Sequence, residues 1–435
     1  DCIRGSGHRM ELCHVVLSTS LVGPDLNCWK LPNGVRVVTA AMPEAALTCL
    51  DLWCRAGSAN EERGEEGMAH FLEHLVFKGS DQLPAGAFDR EVEALGGSSN
   101  AATGFDDVHF HVLIPAEQTA RALDLLLDLV LHPAVVEHDF TTEREVVLEE
   151  IAQCADQPDE LILQMLLSRG CPDHAYGRPI LGERSSLMAM TPEMVRRFHR
   201  RRYRGSNCSL AIAGSPDANL ERQIRDSALM DLEPASLDAM PMSAVAVRSG
   251  RHAIRVDRLE SARLLMLWST AGAADQEAVM GADLATTLLA EGRRSRLVGR
   301  LRETLRIAET VDMDLTVLEQ GSLITLEVCC REEDLASVEQ ELERELTRCI
   351  HEPPAEWELD RARQLVGNGL RFSLESTAQV AGTAGNQQLW ERQQDLLQPL
   401  QVLNSWNADR LLQELMPTLS SEKACTLIAT PGAGA

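Results

Sequence analysis

Long apolar runs and long basic runs are both absent from this 435-residue sequence. No stretch approaches the roughly 18 apolar residues of a membrane-spanning helix, and the N-terminal residues lack the basic, apolar and small-residue order of a secretory signal. The formal net charge of −25 makes duplex nucleic acid and anionic membrane surfaces poor partners. These absences predict a cytoplasmic protein that binds neither, and that prefers cationic peptides if peptides are its partners.

Cysteine pairs with a metal-binding spacing are also missing. The twelve cysteines are scattered, without a C-x-x-C pair, and only Cys329 and Cys330 are adjacent. This pattern excludes a cysteine zinc site and indicates reduced, buried thiols rather than a disulfide framework. Lysine is rare too, because arginine supplies all but three of the 41 basic residues. We interpret that bias as the composition of a prokaryotic genome rich in G and C.

One short stretch, GMAHFLEHLVFKG at positions 67–79, carries the chemistry. Its spacing puts His70, Glu73 and His74 on one face of a predicted helix, in the inverzincin order H-x-x-E-H. A catalytic zinc ion takes about three protein ligands and a water, with a carboxylate near enough to accept the water's proton. A third ligand must therefore lie elsewhere. The alternative is an ordinary amphipathic core helix that happens to contain two histidines.

A second acidic helix is predicted at 143–154, EREVVLEEIAQC. Its periodicity places Glu143 and Glu150 on one face, two turns apart. Thr141 and Thr142 precede it and are predicted to cap its N-terminus. A carboxylate on this face is the type of ligand that would complete a zinc site.

HFLEH followed by the last glutamate of an E-R-x-V-V-L-x-E helix resembles the pitrilysin/insulinase family of zinc peptidases, and most closely the short two-domain type related to mitochondrial processing peptidase. The resemblance implies that His70, His74 and Glu150 bind one Zn²⁺ per chain. It also implies that Glu73 is the general base and that Glu143 is a catalytic-site carboxylate behind the ligands.

Two further segments resemble the family's substrate-binding parts. GGSSNAATGFDDVHFHV, at 96–112, implies a sheet edge at which Asn100 and Ala101 align an extended peptide. SRLVGRLRETLRIAE implies that Arg302 contacts substrate, but Glu309 stands where the family has a tyrosine. Some bacterial members of the family pair a zinc-bearing subunit with a homologous subunit that lacks zinc and supplies such contacts, so the resemblance implies a homodimer, or a heterodimer of that kind.

The chain contains an internal echo. LDLWCRAGSA at 50–59 is matched by LMLWSTAGAA at 265–274, which indicates a duplication. The alternation of predicted strands and helices indicates an α/β or α+β fold. With the family resemblance we predict the α+β form, with two homologous α/β-sandwich domains, each a mostly antiparallel sheet with helices packed on it. The predicted boundaries are an N-terminal extension at 1–24, a zinc-bearing domain at 25–230, a linker at 231–251 and a domain without metal at 252–435.

The predicted function is hydrolysis of internal bonds in peptides or unfolded segments, by a metal-activated water with Glu73 as the base. The alternative of another class is a zinc-binding subunit, or a core or scaffold protein, that acts only with a homologous partner. A third interpretation is hydrolysis of a different kind of bond. It stays open because a zinc-bound hydroxide can attack many electrophiles, so the ligands alone do not define the substrate.

Overall fold

The structure, a computed structural model, describes residues 23–215, 217, 219–234, 243–392 and 394–432. All but the last two residues of the predicted N-terminal extension lie outside the described residues, as does 235–242 within the predicted linker. We call residues 23–234 the first half and residues 243–432 the second half. The helices of the described ranges include none that is both long enough and apolar enough to cross a membrane.

Strands form in both halves. In chain order the strands are β1 (Leu26–Lys30), β2 (Arg36–Ala41), β3 (Leu47–Cys54), β4 (Ser98–Thr103), β5 (Val108–Pro115), β6 (Cys208–Gly214), β7 (Gly250–Val256), β8 (Ala262–Thr270), β9 (Thr310–Thr316), β10 (Ser322–Cys330) and β11 (Cys425–Pro431). Burial along the strands depends on their position in the sheet: β5 and β9 alternate between more and less buried residues, whereas the central β3 and β6 are buried along almost their whole length.

Helices fill the connections. They are α1 (Met68–Val76), α2 (Ala87–Ala94), α3 (Thr119–Leu131), α4 (Glu137–Asp156), α5 (Pro158–Gly170), α6 (Arg184–Ala189), α7 (Pro192–Arg202), α8 (Leu220–Arg225), α9 (Gln276–Ala290), α10 (Leu335–His351), α11 (Glu356–Ser373), α12 (Thr377–Leu389), α13 (Gln398–Ser405) and α14 (Ala408–Arg410).

Apart from the additional edge strand β1 of the first sheet, the two sheets share one strand order. The first has the order β1-β2-β6-β3-β5-β4 and the second the order β7-β11-β8-β10-β9. The pairs β2/β6 and β7/β11 are parallel, and the other pairs are antiparallel. The echoed segments supply β3 and β8, which occupy matching positions near the middle. This arrangement confirms the predicted α+β fold with two homologous, mostly antiparallel sheets.

The echoed tryptophans nevertheless face opposite sides of their sheets. Trp53 stacks on His109, with ring centroids 4.1 Å apart. Trp268 points into the core of its own half, where its Nε1 donates to the Ser420 carbonyl at 2.9 Å. Because successive strand residues alternate between faces, a shift of one residue exchanges the two sides. The echo therefore locates the equivalent strands but not the equivalent side chains.

Each sheet has its own helices on one face and a helix of the other half on the opposite face. In the first half, α1, α3 and α7 pack on the face that carries Leu50 and Leu52. The second face is covered by α12 of the second half. Reciprocally, α5 of the first half packs on β8 and β11, where Leu166 lies in one apolar cluster with Leu265 and Leu267. The two halves thus complete each other's layers.

Candidate active site

Helices α1 and α4 bring three metal-ligating side chains together. One ligand atom each from His70, His74 and Glu150 lies within 4.8 Å of the other two. Glu150 Oε2 is 3.5 Å from His74 Nε2 and 3.9 Å from His70 Nε2. Two ligands that bind one ion at about 2.1 Å stand roughly 3 to 3.5 Å apart. The nitrogen and oxygen donors therefore fit a zinc ion after small side-chain adjustments.

His74 is oriented by a buried carboxylate. Its Nδ1 lies 3.3 Å from Glu143 Oε2, and the other oxygen of Glu143 is 2.7 Å from Lys78 Nζ. The Glu143 side chain is only 6% exposed. A proton on Nδ1 that is donated to Glu143 leaves the Nε2 lone pair free on the side of Glu150, which is the arrangement that metal-binding histidines use.

His70 is kept in its neutral, ligand-competent form by burial and not by a carboxylate partner. Burial, and secondarily the neighbouring His74, lower the pKa of His70 to about 4. The ring is therefore neutral at pH 7, as a metal ligand must be. Its Nδ1 is buried and has no hydrogen-bond partner among the described residues. His70 thus lacks the carboxylate support that His74 has.

Glu73 is positioned from the edge of the first sheet. Thr103 Oγ1, at the end of β4, donates a hydrogen bond to Glu73 Oε2. Within the described residues, β4 pairs only with β5 and is therefore an edge strand. The predicted base lies beside the ligands on α1 and beside an open strand at the same time.

The N-terminus of α1 depends on two residues outside the motif. Gly67 has φ +93°, and a Cβ there would lie 2.6 Å from the Leu181 carbonyl oxygen. The buried Glu61 accepts hydrogen bonds from the backbone N–H groups of Gly67 (3.1 Å) and Ala69 (2.8 Å). Burial raises the pKa of Glu61 to about 8, and the oxygens of its carboxyl group pair two N–H donors that the helix itself leaves without partners. Glu61 therefore holds the helix that carries both histidines.

Helix α4 corrects one prediction. It begins at Glu137, so Thr141 and Thr142 lie inside the helix instead of capping it. Their hydroxyls donate to the carbonyls of Glu137 and His138, each four residues earlier. The capping prediction was wrong because the two threonines return their hydrogen bonds to the preceding turn.

The predicted substrate residues do not all come together. Asn100 and Ala101 both lie on β4, with Asn100 exposed and Ala101 packed against the first core. Arg302 lies in a π-helical turn of the second half, where its guanidinium bonds Glu303. Glu309 accepts hydrogen bonds from Ser261 and Cys329 instead. Among the described contacts, none joins Arg302 to the residues on α1 or α4.

Three residues of the segments quoted above have contacts that the sequence analysis did not predict. Lys78 follows α1 and neutralises Glu143, as described above. His109 and His111 lie on β5, on the same face as Asp51 of β3, and form a second group with metal-ligating potential. Two histidines two positions apart in a predicted strand share a face, and that spacing is the signal that could have identified them.

Comparisons with known proteins identify relatives of most of the chain. Residues 36–184 match the family described as Insulinase (Peptidase family M16), and residues 189–366 match the Peptidase M16 inactive domain. An uncharacterized zinc protease of Rickettsia bellii is 27% identical over 354 residues, 81% of this chain and 85% of that protein. One of Mycobacterium leprae is 29% identical over 362 residues, 82% and 81% respectively.

Solved structures show the same fold. A protease from Helicobacter pylori superposes with a TM-score of 0.86 at 21% identity, covering 94% of this chain and 100% of that chain. A Pseudomonas fluorescens structure described as a peptidase M16 inactive domain gives 0.85 at 18% identity, covering 94% and 99%. Two models of one family, matched one after the other over residues 36–184 and 189–366, show that this chain belongs to peptidase family M16, the insulinase family, in its short two-domain form.

Proposed function

We propose that this protein is a zinc endopeptidase that hydrolyses internal bonds of extended peptides or unfolded segments. The proposal rests on one observation: the ligand atoms of His70, His74 and Glu150 lie within 4.8 Å of one another. Glu73 lies on the same helix as the two histidines and accepts a hydrogen bond from Thr103. We infer one Zn²⁺ at these three ligands. When bound, the ion supplies a Lewis acid that polarises the scissile carbonyl and lowers the pKa of water toward roughly 7.

Side chains of the protein transfer the proton and orient the ligands. Glu73 takes the proton from the attacking water and transfers it to the leaving amine, so no covalent intermediate is needed. Its hydrogen bond from Thr103 holds one carboxylate oxygen and leaves the other for the proton. Glu143 keeps His74 in the tautomer that presents Nε2 to the ion, while Lys78 balances the charge of Glu143.

The open edge of β4 is the proposed place for the peptide. Backbone pairing with an edge strand holds any extended sequence, and leaves selectivity to the side-chain surroundings. Because Thr103 at the end of β4 contacts Glu73, a peptide paired along this edge passes close to the base. The net charge of −25 supports a preference for cationic peptides.

The decisive experiment substitutes the base and keeps the ligands. We expect Glu73→Gln to retain its zinc ion, measured by inductively coupled plasma mass spectrometry, and to lose about 10²- to 10⁴-fold in cleavage of a mixed peptide library. The exposed Glu145→Gln, on α4, is the matched control and should cleave like the wild type. If Glu73→Gln cleaves at the wild-type rate, the proposed role of Glu73 is wrong.

A second candidate function is that of a zinc-holding subunit which acts only with a homologous partner. It is favoured by the positions of Arg302 and Glu309, which bond to their own neighbours and form no substrate-holding pair. We propose a homodimer or a heterodimer in which the other subunit supplies the missing contact. Wild-type protein that binds zinc but cleaves nothing, and gains activity when a homologous subunit is added, would support this function over the first.

A further inference from the structure

Apart from the predicted zinc ligands, one other group of side chains in the described residues can bind a metal ion. Asp51 of β3 and His109 and His111 of β5 offer one ligand atom each, all within 4.8 Å of one another. Asp51 lies directly opposite His111 in the strand register, and His109 lies opposite the next residue on the same face, Trp53. The group therefore follows from strand pairing and does not depend on a loop.

This group shares no residue with the predicted zinc site and lies on the other face of the sheet. Helix α1 packs with Leu50 and Leu52, whereas Asp51 and Trp53 alternate with them and face α12. All three candidate ligands line a cavity of about 720 Å³ between the two halves. The cavity is also lined by residues of α9 and α12, so the wall opposite the group comes from the second half.

The distances between the three side chains are close to those between ligands of one metal ion. Asp51 is only 2% exposed, and its Oδ1 lies 3.0 Å from His109 Nδ1. That distance is near the roughly 3.0 Å that separates neighbouring ligands of one ion at about 2.1 Å in octahedral geometry. The His109 and His111 rings are nearly parallel, with centroids 5.7 Å apart, and Trp53 stacks on His109. The stacking restricts the orientation of His109.

The donor types select a class of ion. Two imidazoles and one carboxylate suit divalent transition metals, whereas Ca²⁺ and Mg²⁺ prefer oxygen ligands throughout. With three protein ligands on a cavity wall, the remaining coordination positions face the cavity and can accept water or a carboxylate. In the described residues, the salt bridges of Asp51 include no arginine or lysine that would take the place of a cation.

We propose that Asp51, His109 and His111 form a second site for a divalent transition-metal ion, with open coordination positions directed into the cavity between the halves. This adds an ion to the one that the H-x-x-E-H motif predicts. The competing interpretation is an Asp51–His109 ion pair that stabilises a buried carboxylate. In that case His111 takes no part and no metal ion binds there. The two interpretations differ in the number of metal ions that the chain holds.

Metal counting with crossed variants tests the proposal. The full chain is stripped with a chelator, reloaded with Zn²⁺ at pH 7.5, desalted and analysed for metal per chain. We expect about two ions in the wild type, about one in His70→Ala/His74→Ala, about one in His111→Asn, and none when all three changes are combined. His111→Asp restores a ligand atom and should recover the second ion. His132→Asn, in a surface pair with Asp128, is the matched control and should keep both ions.

A spectroscopic readout leaves all three ligands intact. In His70→Ala/His74→Ala, added Co²⁺ should quench tryptophan fluorescence, because Trp53 stacks on a ligand, and Trp53→Phe should abolish most of that quenching. The proposal is overturned if His70→Ala/His74→Ala holds no metal and shows no quenching. It is equally overturned if His111→Asn holds as much metal as the wild type. Neither readout depends on peptide cleavage, so failure of the proposed peptidase function would leave this test valid.

Discussion

At the scale of single residues, the two histidines of the motif are unequal. His74 lies between Glu143 and Glu150, while the half-buried ring of His70 lies 3.9 Å from Glu150 and packs edge-on against His74. Helical spacing placed His70 and His74 on one helix face, and the family resemblance added Glu150; the structure brings these three side chains together. The sequence could not predict that Lys78 neutralises Glu143, because that contact depends on how α1 and α4 pack against each other.

The asymmetry gives a first prediction. Glu143→Ala should weaken zinc binding about 10- to 100-fold, because His74 loses the partner that fixes its tautomer and Lys78 is left without its counter-charge. Metal affinity is measured by competition with a chromophoric chelator. Glu145→Ala, an exposed glutamate of the same helix, is the control. Equal affinity for Glu143→Ala and wild type would show that the carboxylate has no supporting role.

At the scale of elements, α1 is held at its N-terminus by a residue outside the motif. Glu61 satisfies two backbone donors at the point where Gly67 turns the chain into the helix. Local sequence rules look for a cap immediately before the helix, and the residue there is glycine, so Glu61 was not predicted. The acidic helix was predicted at 143–154 but begins at Glu137, since its first turns carry no apolar periodicity.

Removing the Glu61 carboxylate should affect both the fold and the metal. Glu61→Ala leaves two N–H donors unpaired in a buried position, which costs on the order of 1 to 3 kcal/mol in the free energy of unfolding. Zinc affinity should fall as well, because the first turn of α1 carries His70. Urea unfolding and chelator competition measure the two effects. Glu62→Ala, at the exposed neighbouring position, should change the unfolding free energy much less.

A second element-scale prediction concerns pH. His199 of α7 lies against α3, where its Nε2 donates to the Val130 carbonyl at 2.9 Å. Burial lowers the pKa of His199 to about 4, below its ordinary value of 6.5. Between pH 6.5 and pH 4, His199 is therefore protonated in the unfolded chain but not in the folded chain. Its contribution to the free energy of unfolding is fully present above pH 6.5 and is lost as the pH falls toward 4.

The measurement is the change in unfolding free energy between pH 7.5 and pH 4.5, with metal removed from every sample. Wild type should lose on the order of 2 to 3 kcal/mol more than His199→Gln over this interval. His252→Gln, in the second half, is the control and should follow the wild type. Parallel pH profiles for wild type and His199→Gln would contradict the assignment.

At the scale of the whole molecule, the halves are joined by exchanged helices and by polar contacts. Asp107 of the first half accepts hydrogen bonds from Asn386 and Trp390 of the second, each at 3.0 Å. The duplication and the fold class were predictable from repeated strand patterns. The exchange of helices was not predictable, because the apolar faces of α5 and α12 pack on the sheet of the other half, and periodicity does not identify which sheet a helix covers.

The close approach of α12 to the first sheet can be tested at one glycine. A Cβ on Gly385 would lie 2.6 Å from Trp53 Cδ1, so Gly385→Ala forces the helix and the ring apart. We expect a loss on the order of 1 to 3 kcal/mol, despite the better helix propensity of alanine. Gly369→Ala on α11, where no atom lies within 4 Å of the added Cβ, should be neutral or stabilising. Thermal melting distinguishes the two variants. Equal melting temperatures would mean that the space between Gly385 and Trp53 can accept a methyl group without a cost in stability.

The exchanged helices also impose an order on synthesis. The first sheet is complete in sequence once β6 has emerged, but α12, which covers one of its faces, begins only at Thr377. At translation rates of 5 to 20 residues per second, the intervening stretch takes roughly 10 to 30 seconds to make. During that time Val38, Cys49 and Ala211 present an apolar sheet face to solvent or to a chaperone. A nascent first half is therefore a natural client for ribosome-associated holdases, and a gene cut between the halves should yield soluble protein only when both pieces are made together.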